Sequence, residues 1–136
     1  MRLFLIVVLA GLLSFGVGLA LVVAVNAWIP CHDTSSSCNM GMAMGHIAVM
    51  TYAPLAILVF GITAWFARSE RALAIAALWL LAPVAAMLLY GVMLEGIPTD
   101  FSRELPDLLR CVLSPVLIVA VQWALLRAYM RRTAPV

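Results

Sequence analysis

The sequence predicts an all-α integral membrane protein, an up-and-down bundle of four transmembrane helices with both termini in the cytoplasm. Three observations predict it. Hydrophobic residues make up 66% of the 136 residues and charged residues only 10%, against roughly 45–50% and about 25% in a soluble domain. The apolar residues fall into four unbroken runs, each near the roughly 20 residues that cross a hydrocarbon core about 30 Å thick. The arginines collect on one side of a four-span path, as basic residues do on the cytoplasmic face. A chain this apolar cannot cover its own surface in water, which excludes a soluble enzyme or a disordered tail. A net charge of +2, scattered along the chain, provides no phosphate-binding patch and so no nucleic-acid partner.

The first span is expected over residues 3–29, preceded by Arg2 alone. Its run is longer than the 7–15 apolar residues typical of a cleaved signal peptide, so a retained signal anchor is expected. Ala10, Ser14 and Gly18 recur there at four-residue spacing, a seam for close helix contact of the kind lipid-embedded helices use. An outer loop, 30–45, leads to a second span at 46–67. The polar turn Arg68-Ser69-Glu70-Arg71 leads to a third span at 72–94, where Ala82 and Ala86 form a second small-residue seam. A second outer loop, 95–106, precedes the fourth span at 107–127. Arg2, Arg68, Arg71, Arg127, Arg131 and Arg132 share one side, whereas the outer loops hold Arg103 against Glu95, Asp100 and Glu104. Pro54, Pro83 and Pro115 interrupt three spans at similar depth. Each removes a backbone hydrogen bond and tends to kink its helix; tolerated prolines are frequent in membrane helices, and an outer half splayed into a shallow cavity is the alternative reading. All basic side chains are arginine and none is lysine; this suggests a G+C-rich genome and a bacterial plasma membrane.

The first outer loop carries the chemistry. Cys31 and Cys38 bracket it, and on the outer side paired thiols close into a disulfide. The same pair raises thiol redox exchange. A four-helix thiol oxidase, however, uses a closely spaced Cys-x-x-Cys and a second reactive pair, and this chain has neither. Met40, Met42, Met44 and His46 follow, with His32 before them and Met50 one turn on. Thioether and imidazole groups favour Cu(I). An extended segment points Met42, Met44 and His46 to one face, whereas a helix pairs Met40 with Met44 and His46 with Met50. The pattern resembles the methionine motifs of copper-handling proteins over fewer than ten residues, which implies copper(I) as the alternative; methionine is also a flexible apolar filler where a helix meets the interface, and on that reading no cofactor is expected. Gly41, Ala43 and Gly45 would let the sulfurs converge.

Charges within a span ask for a partner or a function. Arg110 is expected to pair with Asp107, three residues earlier, or with Glu95, and to snorkel toward head groups. No span carries a central carboxylate, no His-Glu-x-x-His or nucleophile elbow is present, and the tail is too short for a catalytic domain. The expected function is therefore non-enzymatic: an accessory or assembly subunit packed in a larger membrane complex or against copies of itself.

Overall fold

We describe a computed structural model of the chain, covering residues 1–31, 36–97 and 101–133. Every element among these residues is helical. Helix α1 spans Arg2–Trp28, α2 Ser36–Phe66, α3 Glu70–Glu95 and α4 Phe101–Leu108. A π-helical turn at Leu109–Leu113 joins α4 to α5, Ser114–Thr133. Four stretches are long and apolar enough to cross a membrane: Arg2–Trp28, Cys38–Phe66, Glu70–Leu94 and Glu104–Thr133.

Two boundaries depart from expectation. Helix α2 starts at Ser36, so most of the segment expected as loop 30–45, including all the methionines, is helix. Helix α4 likewise starts at Phe101, inside the expected loop 95–106. Polar residues at these positions end a hydropathy run without ending a helix, because Ser, Asn, Asp and Glu favour first turns. The short α2–α3 connection is closed by Arg68, whose φ of 44° lies in the left-handed region. Ser69 then caps α3 by accepting a hydrogen bond from the Ala72 amide at 3.2 Å. At the other end of α3, Gly96 takes φ 78° and ψ −177°, a conformation essentially confined to glycine.

The core is built from Val22 of α1, Val49, Ala56 and Phe60 of α2, Leu73 of α3, and Ile118 and Leu126 of α5, all fully buried. Helix α1 packs on α2 and α5, and α3 packs chiefly on the same two helices. Small residues decide where α1 approaches closely. A methyl group on Gly11 would collide with Ile57, and one on Gly18 would lie 2.8 Å from Ile118 Cδ1. Ala10, Ser14 and Gly18 are all buried. Their seam therefore faces this chain's own helices and is not a free surface for a partner. Ser14 Oγ donates to the Gly11 carbonyl at 2.8 Å and accepts from Gln122 Nε2 at 2.8 Å, joining α1 to α5. At the opposite end Glu70 accepts from Arg127 Nε and Arg131 Nε, both at 2.9 Å, tying the start of α3 to the end of α5.

Candidate functional site

The π-helical turn has a local cause. Pro115 has no N–H to give the Cys111 carbonyl four residues back, and its ring crowds that carbonyl; the turn at Leu109–Leu113 widens the backbone just ahead of it. Ser114 Oγ donates instead to the Arg110 carbonyl. The widened turn directs Arg110 inward. Its side chain is 1% exposed, and it is the largest fully buried side chain among the described residues. Nη1 donates to Asp107 Oδ1 and Nη2 to the Ile29 carbonyl, each at 3.2 Å, while Nε has no partner among the described residues.

The Arg110–Asp107 pair matches expectation, but snorkelling does not. The guanidinium turns into the bundle and satisfies a carbonyl that the end of α1 leaves free. Sequence spacing cannot reveal a partner so far along the chain. The side chain of Glu95 lies outside the described residues. Two glycines of α2 make room for the pair. A methyl on Gly45 would lie 2.9 Å from Arg110 Cβ, and one on Gly41 would collide with the Asp107 carboxylate. Gly41 and Gly45 thus admit α4 and the π turn, rather than drawing methionine sulfurs together. Their Gly-x-x-x-Gly spacing is a close-packing signal and was the clue available in the sequence.

Above this pair stands a group of sulfurs. Cys31 and Cys38 form a disulfide with their Cα atoms 5.9 Å apart. Met42 Sδ lies 3.3 Å from Cys31 Sγ. His46 Nδ1 donates to the Met42 carbonyl at 2.9 Å; a carbonyl only accepts, so Nδ1 carries a proton. Cys38, Met42 and His46 are spaced by four residues and form one helical stripe. At about 100° per residue, Met40 and Met44 lie on roughly the opposite side of α2 from Met42, and both are exposed. Met50 continues the stripe but is also exposed. The structure therefore does not bring Met40, Met42, Met44 and His46 around one point, because the segment is helical. His32 lies outside the described residues. Among the described residues no three His, Cys, Asp or Glu side chains gather as a metal site.

Beside the π turn a cleft of about 540 Å³ opens between α2, α3 and α4. Ile47, Val84, Met87 and Val112 give it an apolar wall, and Thr51, Tyr52, Glu104 and Asp107 supply its polar atoms. The cleft lies on the Glu95 side of Pro83, where the alternative reading of the prolines places a cavity. Within residues 85–94 every residue of α3 is exposed except the half-buried Gly91. Ala86 is among the exposed residues, as is Ala82 just before them, so their seam is not buried against the described helices. The one free thiol among the described residues, Cys111, also lines the cleft.

Comparison with protein-family models, curated proteins and solved structures finds no match for this chain. Its functional reading therefore rests on its own geometry.

Proposed function

We propose that this protein is a small multi-pass membrane subunit without catalytic activity, which holds another transmembrane helix against the second half of α3. The observation that carries the reading is the pair formed by that bare half-helix and the adjoining cleft. A span packed in a bundle ordinarily buries one side and gives the other to lipid. Here residues 85–94 leave both sides open. Lipid offers no fixed donor to the Glu104 carboxylate, which lines the cleft beside the Asp107–Arg110 pair. A helix bringing a donor group suits that carboxylate better, and Ala82 and Ala86 permit the helix's close approach.

The four spans alternate in direction on this reading. Gly11 against Ile57 and Gly18 against Val49 fit an antiparallel α1–α2 pair, and Ser14 with Gln122 and Ile29 with Arg110 fit an antiparallel α1–α5 pair. Both termini then share a side. The arginine distribution puts that side in the cytoplasm and the disulfide outside, in a bacterial plasma membrane.

The test is photo-crosslinking in native membranes from residues 86 and 87, with residue 53 as a buried control. The expected result is a protein adduct, a different subunit or a second copy, from the first two positions alone, which weakens when Ala82 is changed to Leu. Adducts with lipid only, at every position, contradict the proposal.

A further inference from the structure

We propose that opening the Cys31–Cys38 disulfide converts the sulfur group at the head of α2 into a three-coordinate Cu(I) site formed by Cys31 Sγ, Cys38 Sγ and Met42 Sδ. Three soft donors are already assembled. Cys38 occupies the first turns of α2 and Met42 lies one turn further on the same stripe. Cys31 reaches across from the end of α1 to touch both, bonded to one and 3.3 Å from the other. A trigonal site with metal–sulfur bonds of about 2.3 Å needs sulfurs about 4 Å apart. The Cys31–Met42 approach is inside that distance, and a cleaved disulfide relaxes outward toward it. All three side chains are half-buried, so the donors are shielded without being sealed.

The surrounding residues hold this arrangement. Arg110 Nη2 bonds to the Ile29 carbonyl, two residues before Cys31, and fixes the segment that carries that cysteine. Gly41 and Gly45 seat α2 against Asp107 and Arg110, which sets the rotation of the Cys38–Met42 stripe. The buried guanidinium also places a positive charge near a complex that carries net negative charge once two thiolates bind one Cu(I). Two thiolates and a thioether select Cu(I) over oxygen-seeking cations, and Zn(II) would require a fourth ligand.

The chemistry balances with a dithiol as co-reactant. Its two thiols give two electrons and two protons to the Cys31–Cys38 bond, leaving two protein thiols and the reductant's own disulfide. Cu(I) then displaces both thiol protons to solvent and takes the Met42 lone pair. With the disulfide closed neither cysteine offers a thiolate, so metal binding is coupled to the redox state of the pair.

The experiment uses the full chain in nanodiscs with Cys111→Ser, so that only this pair can supply thiols. The protein is reduced with a phosphine, freed of it, and titrated anaerobically with Cu(I) against a chromophoric chelator. We expect one Cu(I) per reduced chain, at least about tenfold weaker binding to the oxidised chain, and three sulfur neighbours at about 2.3 Å by X-ray absorption. Met42→Leu removes a direct ligand and should weaken binding at least about tenfold, the lower end of what loss of an outer-shell partner costs, whereas Met40→Leu with Met44→Leu leaves it unchanged. Alkylating the reduced thiols of the folded protein should abolish binding without relying on the folding of a cysteine variant. Equal binding to the oxidised chain overturns the proposal. So does loss of binding in the Met40/Met44 variant, preference for Zn(II), or a disulfide that the phosphine leaves closed.

Discussion

Replacing Gly45 with alanine adds a single methyl group at the closest approach of α2 to the π turn. That methyl would lie 2.9 Å from Arg110 Cβ and 3.3 Å from Val22 Cγ1. Arg110 Cβ moves only with its backbone, so the strain cannot be relieved by rotating a side-chain tip. Overpacking of this kind costs about 1–3 kcal/mol. The intrinsic gain from glycine to alanine in a helix offsets about 0.5–1 kcal/mol. The net loss is then about 0–2.5 kcal/mol, which reduces the folded-to-unfolded ratio by a factor of up to about 70. Gly16 is the control, because a methyl there meets nothing within 4 Å; its alanine variant should match wild type or be up to about 1 kcal/mol more stable. Both are measured by reversible unfolding in mixed micelles at increasing SDS fraction, followed by tryptophan fluorescence. A Gly45→Ala protein as stable as Gly16→Ala would refute the reasoning that glycine is required for the approach of Arg110.

Three further outcomes follow from the same packing. Asp107→Asn removes the negative partner, itself 56% exposed, of a guanidinium that is 1% exposed and should cost about 1–3 kcal/mol, between an exposed and a buried pair; combining it with Arg110→Met should restore part of that loss in a double-mutant cycle. Gln122→Leu should cost about 0.6–1.7 kcal/mol, the range of interhelical hydrogen bonds in membranes, with little further loss when Ser14→Ala is added, since the bond between them at 2.8 Å is already gone. Breaking the Cys31–Cys38 disulfide, whose residues are 7 apart in sequence, should lower stability by about 2.5 kcal/mol on loop-entropy grounds, read as a matching shift of the unfolding midpoint.

What could be read in the sequence depended on how local the cause was. The four apolar helices follow from run length, and Arg110 with Asp107 follows from i, i+3 spacing. The disulfide follows from two cysteines flanking a short polar stretch. The helical starts at Ser36 and Phe101 were missed because hydropathy detects lipid contact and does not detect helix initiation by polar residues. That error changed the chemistry: an extended Met42-Ala43-Met44-Gly45-His46 would converge its donors, whereas the helix sends Met44 away and aligns Cys38, Met42 and His46. The Ala10–Ser14–Gly18 seam was visible, but its partner was not, because four-residue spacing marks a contact without saying whether the opposing helix belongs to the same chain. The Ile29 carbonyl as a partner of Arg110 was invisible for the same reason.

The account depends most on four crossings of a bilayer with both ends on one side, and reporters at the two termini test it most directly. A cytoplasm-active fluorescent protein and a periplasm-active phosphatase are fused in turn to each end of the full chain in a bacterial host. The account predicts fluorescence without phosphatase activity at both ends. Phosphatase activity at one end and fluorescence at the other would require an odd number of crossings and would contradict it.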